Sequence, residues 1–140
     1  MIQLNIFKKS FEEVEEELFK LDQKQSKDHF DLLDDIGLLF QNNFRSRFFG
    51  SYCLPDDPIV GRGEVVKSYI HLYFYPKEKD ANVLTLYNEG LHVATLTYQL
   101  FEEGEDNDET YTLNLLRFEL EDIDEDDELY KRYRLHYLFK

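Results

Sequence analysis

The residues in this 140-residue chain with types suited to chemistry are four histidines, one cysteine and a high density of carboxylates. His29, His71, His92 and His136 are scattered, with no pair at the i, i+4 spacing that sets two imidazoles on one helix face for a metal. His71 and His92 stand in two strand-patterned segments and could approach each other across a sheet. Each reads first as a half-buried hydrogen-bonding strand residue. Cys53 stands near Asp56 and Asp57, whose charges raise a thiol pKa, so no catalytic thiolate is expected. Gly61 and Gly63, in VGRGEV, mark a short turn. They lack the GK[ST] ending and the following helix of a phosphate loop.

The carboxylates carry more information. The chain has 30 Asp and Glu against 16 Lys and Arg, a formal charge of −14. Residues 1–101 hold 16 acids and 11 bases, residues 102–128 hold 14 acids and only Arg117, and residues 129–140 hold four bases and no acid. The imbalance therefore belongs to 27 residues with a net charge of −13. Within them the acids form two blocks. The first is Glu102, Glu103, Glu105, Asp106, Asp108 and Glu109; the second is Glu121, Asp122, Asp124, Glu125, Asp126, Asp127 and Glu128. Asp122, Asp124 and Asp126 match the opening of a calcium-binding EF-hand loop. The loop then needs Gly where Asp127 stands and a bidentate Glu where Tyr133 stands, so the match fails. No spacing selects two carboxylates as an acid–base pair. The chain reads as non-enzymatic, with no metal and no cofactor.

These residues need elements to position them. Ile2, Leu4 and Ile6 alternate with polar residues in a short strand over 1–7. Ser10 and Glu13 have capping-box spacing ahead of Phe11, Val14, Leu18 and Leu21, which predicts a helix over 11–22. Asp28 can cap a second helix carrying Phe30, Leu33, Ile36, Phe40 and Phe44 on one face, broadened by Leu32 and Leu39. Gly37 inside it implies close packing. Residues 50–64, with two prolines and several glycines, read as an irregular connection. From Val65 the pattern is β: a strand ending at Pro76, a segment 83–87, a turn at Asn88-Glu89-Gly90, then strands over 91–101 and 110–120. Residues 129–139 fit a strand better than a helix. The fold expected is α+β in one domain over 1–140: an N-terminal strand and two helices (1–49) packed on one face of a mainly antiparallel sheet of about five strands (65–140).

Two surfaces exceed a bland domain. Tyr69, Tyr73 and Tyr75 share one strand face, which Tyr98 on another strand would extend. Tyrosine is enriched at interfaces because it joins a large contact area to a polar tip. The acidic blocks offer the other surface, where carboxylates occupy places at which a partner expects phosphates. The reading preferred is an inhibitor or immunity-type factor. Its acidic residues would block the basic surface of a nucleic-acid-handling protein partner, with no direct contact to nucleic acid or membrane. The alternative is an interaction or oligomerisation module, compatible with a homodimer, using the tyrosines. One cysteine, no bilayer-length apolar run and no leader pattern at the N-terminus lead to the expectation of a cytoplasmic protein.

Overall fold

The computed structural model describes residues 2–3, 6–44, 48–52, 60–62, 66–76, 91–105, 107–124 and 126, with the backbone alone described for 2–3, 48–52 and 74–76. The segment 83–87, the turn 88–90, Cys53, His136 and residues 129–139 lie outside the described residues.

The elements are β1 (Ile2–Gln3), α1 (Phe11–Phe19), β2 (Gln25–Ser26), α2 (His29–Asn43), β3 (Phe48–Tyr52), β4 (Ser68–Pro76), β5 (Leu91–Glu103), β6 (Thr110–Leu120) and β7 (Asp122–Ile123). They form the α+β architecture expected. Five strands make an antiparallel sheet in the order β2-β6-β5-β4-β3, and β1 pairs antiparallel with β7 apart from it.

Both helices begin where the sequence caps them. Ser10 Oγ accepts from Glu13 N at 3.2 Å, and Asp28 Oδ1 accepts from Phe30 N at 2.9 Å. The Glu13 carboxylate accepts from the Ser10 hydroxyl at 3.1 Å, so the two side chains close on each other at this cap. Helix α1 ends at Phe19, three residues before the expected end. The cause is competition from β6: Asp22 Oδ1 accepts from Leu115 N at 2.8 Å and Gln23 N donates to Leu113 O at 2.7 Å. These bonds need Gln23 in the left-handed region, at φ 67°, which an α-helix cannot contain.

The long connection holds a strand that the sequence reading missed. Residues 48–52 pair with β4 in the register Phe48↔Pro76 to Tyr52↔Leu72, so Gly50, Ser51 and Tyr52 are sheet rather than loop. Gly and Ser are poor strand formers, and pairing with a long neighbour outweighs that local preference.

The core lies between the helices and one sheet face. Val14 and Leu18 of α1, with Leu32, Leu33, Ile36 and Phe40 of α2, are buried with Ile70, Leu72, Leu96, Leu100, Leu113, Leu115 and Phe118. Phe118 is its hub: its ring lies 4.7 Å from Phe11, 5.7 Å from Phe40 and 6.3 Å from Phe7, centroid to centroid. Gly37 is buried, as its position within α2 implied, whereas Phe30 stays 45% exposed outside the apolar stripe. No helix among the described residues is long and apolar enough to cross a membrane.

Candidate functional site: an acidic groove beside β6

The two acidic blocks lie at opposite ends of β6. Its 11 residues separate them by about 35 Å at strand rise, so their described residues do not form one surface. Each block has acquired different neighbours.

The first block lines the β5–β6 hairpin. Gly104, at φ 105°, makes that turn, where a Cβ would meet Asp108 O at 2.3 Å. Glu102 lies 3.2 Å from Arg62 Nη1, Asp108 lies 3.2 Å from Lys27 Nζ, and Arg62 also donates to Gly104 O. Glu109 accepts from Asn107 N at 3.4 Å. Cations from two other segments thus reach into this block, leaving Glu103 and Glu105 exposed at its rim. Desolvation first, then the charges of Glu102, Glu109 and Asp28, raise the phenol pKa of Tyr111 beside it. Asp106 lies outside the described residues.

The second block gains charge instead. Phe11 stacks on Phe118 and holds the first turn of α1 against β6. This contact sets Glu12, Glu15 and Glu16, at i, i+3 and i+4 on one helix face, opposite the C-terminal half of β6. Two adjoining depressions result. One of about 420 Å³ is lined by Glu12, Glu15, Glu16, Phe19 and Leu116–Glu119; the other, of about 590 Å³, runs past Glu119 and Leu120 to Glu121 and Asp122. Together they hold six carboxylates (Glu12, Glu15, Glu16, Glu119, Glu121 and Asp122) and one cation, Arg117, which is ion-paired to Glu119. Among the described residues, no ion pair engages Glu121, Asp122 or Asp124. Asp124 Oδ1 accepts from Asp126 N at 2.9 Å; Glu125, Asp127 and Glu128 lie outside the described residues.

The floor of the groove is apolar at Phe118 and Leu120, and Leu116 is 37% exposed on its flank. Beta2 pairs with β6 only at Tyr111 and Thr112, so beyond Leu115 no described strand covers this edge of β6. The groove therefore offers carboxylates, an apolar floor and a strand edge that no described strand covers. The sequence reading drew its acidic surface from residues 102–128 alone and so missed the helix acids. Their i, i+3, i+4 spacing was the available signal.

The tyrosine face needs one correction. Tyr98 stands opposite Ser68 in the β4–β5 register, and opposed residues share a sheet face; that face is the one carrying Ile70 and Leu72. Tyr98 is accordingly a core residue, 0% exposed, and does not extend the row. Tyr69 is 53% exposed and Tyr73 half-buried, while the Tyr75 side chain lies outside the described ones.

On that outer face His71 and His92 do meet. Tyr73 pairs with His92 and His71 with Thr95, which sets the imidazoles diagonally across β4 and β5 with His71 Nδ1 3.2 Å from His92 Nε2. His92 Nε2 also lies 2.8 Å from Thr95 Oγ1 and 3.0 Å from Ala94 O, and Thr95 Oγ1 donates to Glu121 Oε1 at 3.2 Å. Burial, then the neighbouring His92, lowers the pKa of His71, with Glu121 opposing.

Comparison with protein families, with curated proteins and with solved structures finds no match for this chain.

Proposed function

We propose that this chain is a non-enzymatic protein-binding factor of the inhibitor or immunity type. In this reading the groove between α1 and β6 receives a cationic segment from the basic surface of a nucleic-acid-handling protein. The observation that carries it is the convergence of Glu12, Glu15 and Glu16 with Glu119, Glu121 and Asp122 around an apolar floor. Several carboxylates in one concave site focus their field and steer a cationic partner. The apolar floor adds contact that survives salt.

Capture of partners from the native host, at low and high salt, tests it. Substituting Glu15→Gln, Glu16→Gln, Glu121→Gln and Asp122→Asn together should abolish capture of a basic protein at unchanged fold. Substituting Glu103→Gln and Glu105→Gln in the first block should leave capture intact. Equal capture by both variants overturns the proposal. The alternative, an interface through the outer sheet face, draws on the exposure of Tyr69. It expects Tyr69→Ala to release the partner and salt to matter little.

A further inference from the structure

We propose that His71 and His92 form a two-imidazole chelate for a divalent late transition-metal ion of the zinc, nickel or copper class. The inference does not rest on the groove's proposed role: its donor atoms lie on the outer face of β4 and β5, with Glu121 bordering both places.

The geometry is that of a metal edge. A tetrahedral ion with metal–nitrogen bonds of about 2.0–2.1 Å separates adjacent ligand atoms by about 3.4 Å. His71 Nδ1 and His92 Nε2 already stand 3.2 Å apart. Thr95 Oγ1 completes a triangle at 2.8 Å from His92 Nε2 and 3.4 Å from His71 Nδ1. An ion outside this triangle would reach both nitrogens with little movement.

The hydrogen-bond inventory points the same way. An imidazole nitrogen carries either one proton or one lone pair. His92 Nε2 has His71 Nδ1, Thr95 Oγ1 and Ala94 O all within 3.2 Å, more partners than a single proton or lone pair serves well. Coordination to an ion would give this nitrogen one strong partner in place of three shared contacts.

The surroundings suit the ion. The two rings stand on adjacent strands, and the register shift between Leu72 and Tyr73, which skips Val93, sets His92 opposite Tyr73 and beside His71. Tyr73 packs 5.6 Å from the His92 ring and Tyr69 stacks 6.3 Å from the His71 ring, which limits both rotamers. Glu121 accepts from Thr95, placing negative charge one bond outside the donors. Among the described residues no third His, Cys, Asp or Glu joins the pair, so Thr95 and water would complete the shell. Two imidazoles favour zinc, nickel and copper over calcium and magnesium, which take oxygen ligands.

Isothermal titration of the full chain with Zn²⁺, Ni²⁺ and Cu²⁺, against Ca²⁺ and Mg²⁺, tests the site. One saturable site per chain is expected for the first three ions and none for the last two at equal concentration. Electron paramagnetic resonance of the Cu²⁺-loaded unmutated chain should show two coordinated nitrogens, a readout that needs no variant to fold. His71→Gln and His92→Gln should each reduce that to one nitrogen and weaken binding beyond the about 10–100-fold cost of losing a supporting outer-shell group. His29→Gln should change neither. Absence of saturable binding, a one-nitrogen signature in the unmutated chain, or full affinity in the doubly substituted chain overturns the proposal.

Discussion

Tyr98 shows how one hydroxyl can change what a residue does. Its ring fills the core, while neither its oxygen nor Ser68 Oγ across the strand pair has a hydrogen-bond partner. Burial pushes the phenol pKa from 10.0 up to about 12. A group whose pKa is raised on folding contributes its full stability below the unfolded value and loses it as pH climbs through the folded one. Stability should therefore fall between pH 10 and 12, by up to about 3 kcal/mol from this group. Tyr98→Phe removes both the unsatisfied oxygen and the titration. Its melting temperature at neutral pH should equal or exceed that of the unmutated chain, and its alkaline decline should be shallower. A lower neutral melting temperature would show that the hydroxyl is stabilising. Alternation along LHVATLTYQL made Tyr98 readable as a strand residue. Its face depended on pairing with Ser68, which no local pattern carries.

At the scale of elements, the caps were legible and the stops were not. Ser10 and Asp28 act on backbone groups two or three residues away, so spacing alone identifies them. The end of α1 is set instead by Asp22 and Gln23 bonding to Leu113 and Leu115, some ninety residues on, and such contacts leave no local trace. Strand β3 was hidden for the same reason. The Asp22 bond also makes a stability test. Asp22→Ala leaves the buried Leu115 N–H without its acceptor and should cost about 1–3 kcal/mol in urea unfolding. Asp22→Asn keeps an acceptor oxygen and should cost much less. Equal losses would assign the effect to charge rather than to the hydrogen bond.

Across the whole molecule, the charge of −14 resolves into places with different chemistry. The hairpin block is partly neutralised by Arg62 and Lys27, whereas the block after β6 is reinforced by α1. The sequence located both blocks but not this difference, because the helix acids and the second block are separated by about a hundred residues and meet only when Phe11 stacks on Phe118. The histidines followed the same rule. Their strands could be read, but the register that sets His71 beside His92 could not.

The pairing of β1 with β7 has a kinetic consequence. Ile2 opposes Ile123 and Gln3 opposes Asp122, so this two-residue ladder closes a loop spanning most of the chain. Loop-closure entropy grows with length, and two ladder positions return little toward it. The β4–β5–β6 meander, with its long ladders and shorter β5–β6 connection, is expected to assemble first, leaving the terminal ladder to lock last and open first. Native-state hydrogen exchange should register this as fast exchange of the Ile123 amide beside slow exchange at Leu96 and Leu100. Opening there would release Asp122 from its strand while the β5–β6 ladder stays intact, giving the acidic groove a wall that moves without unfolding its floor.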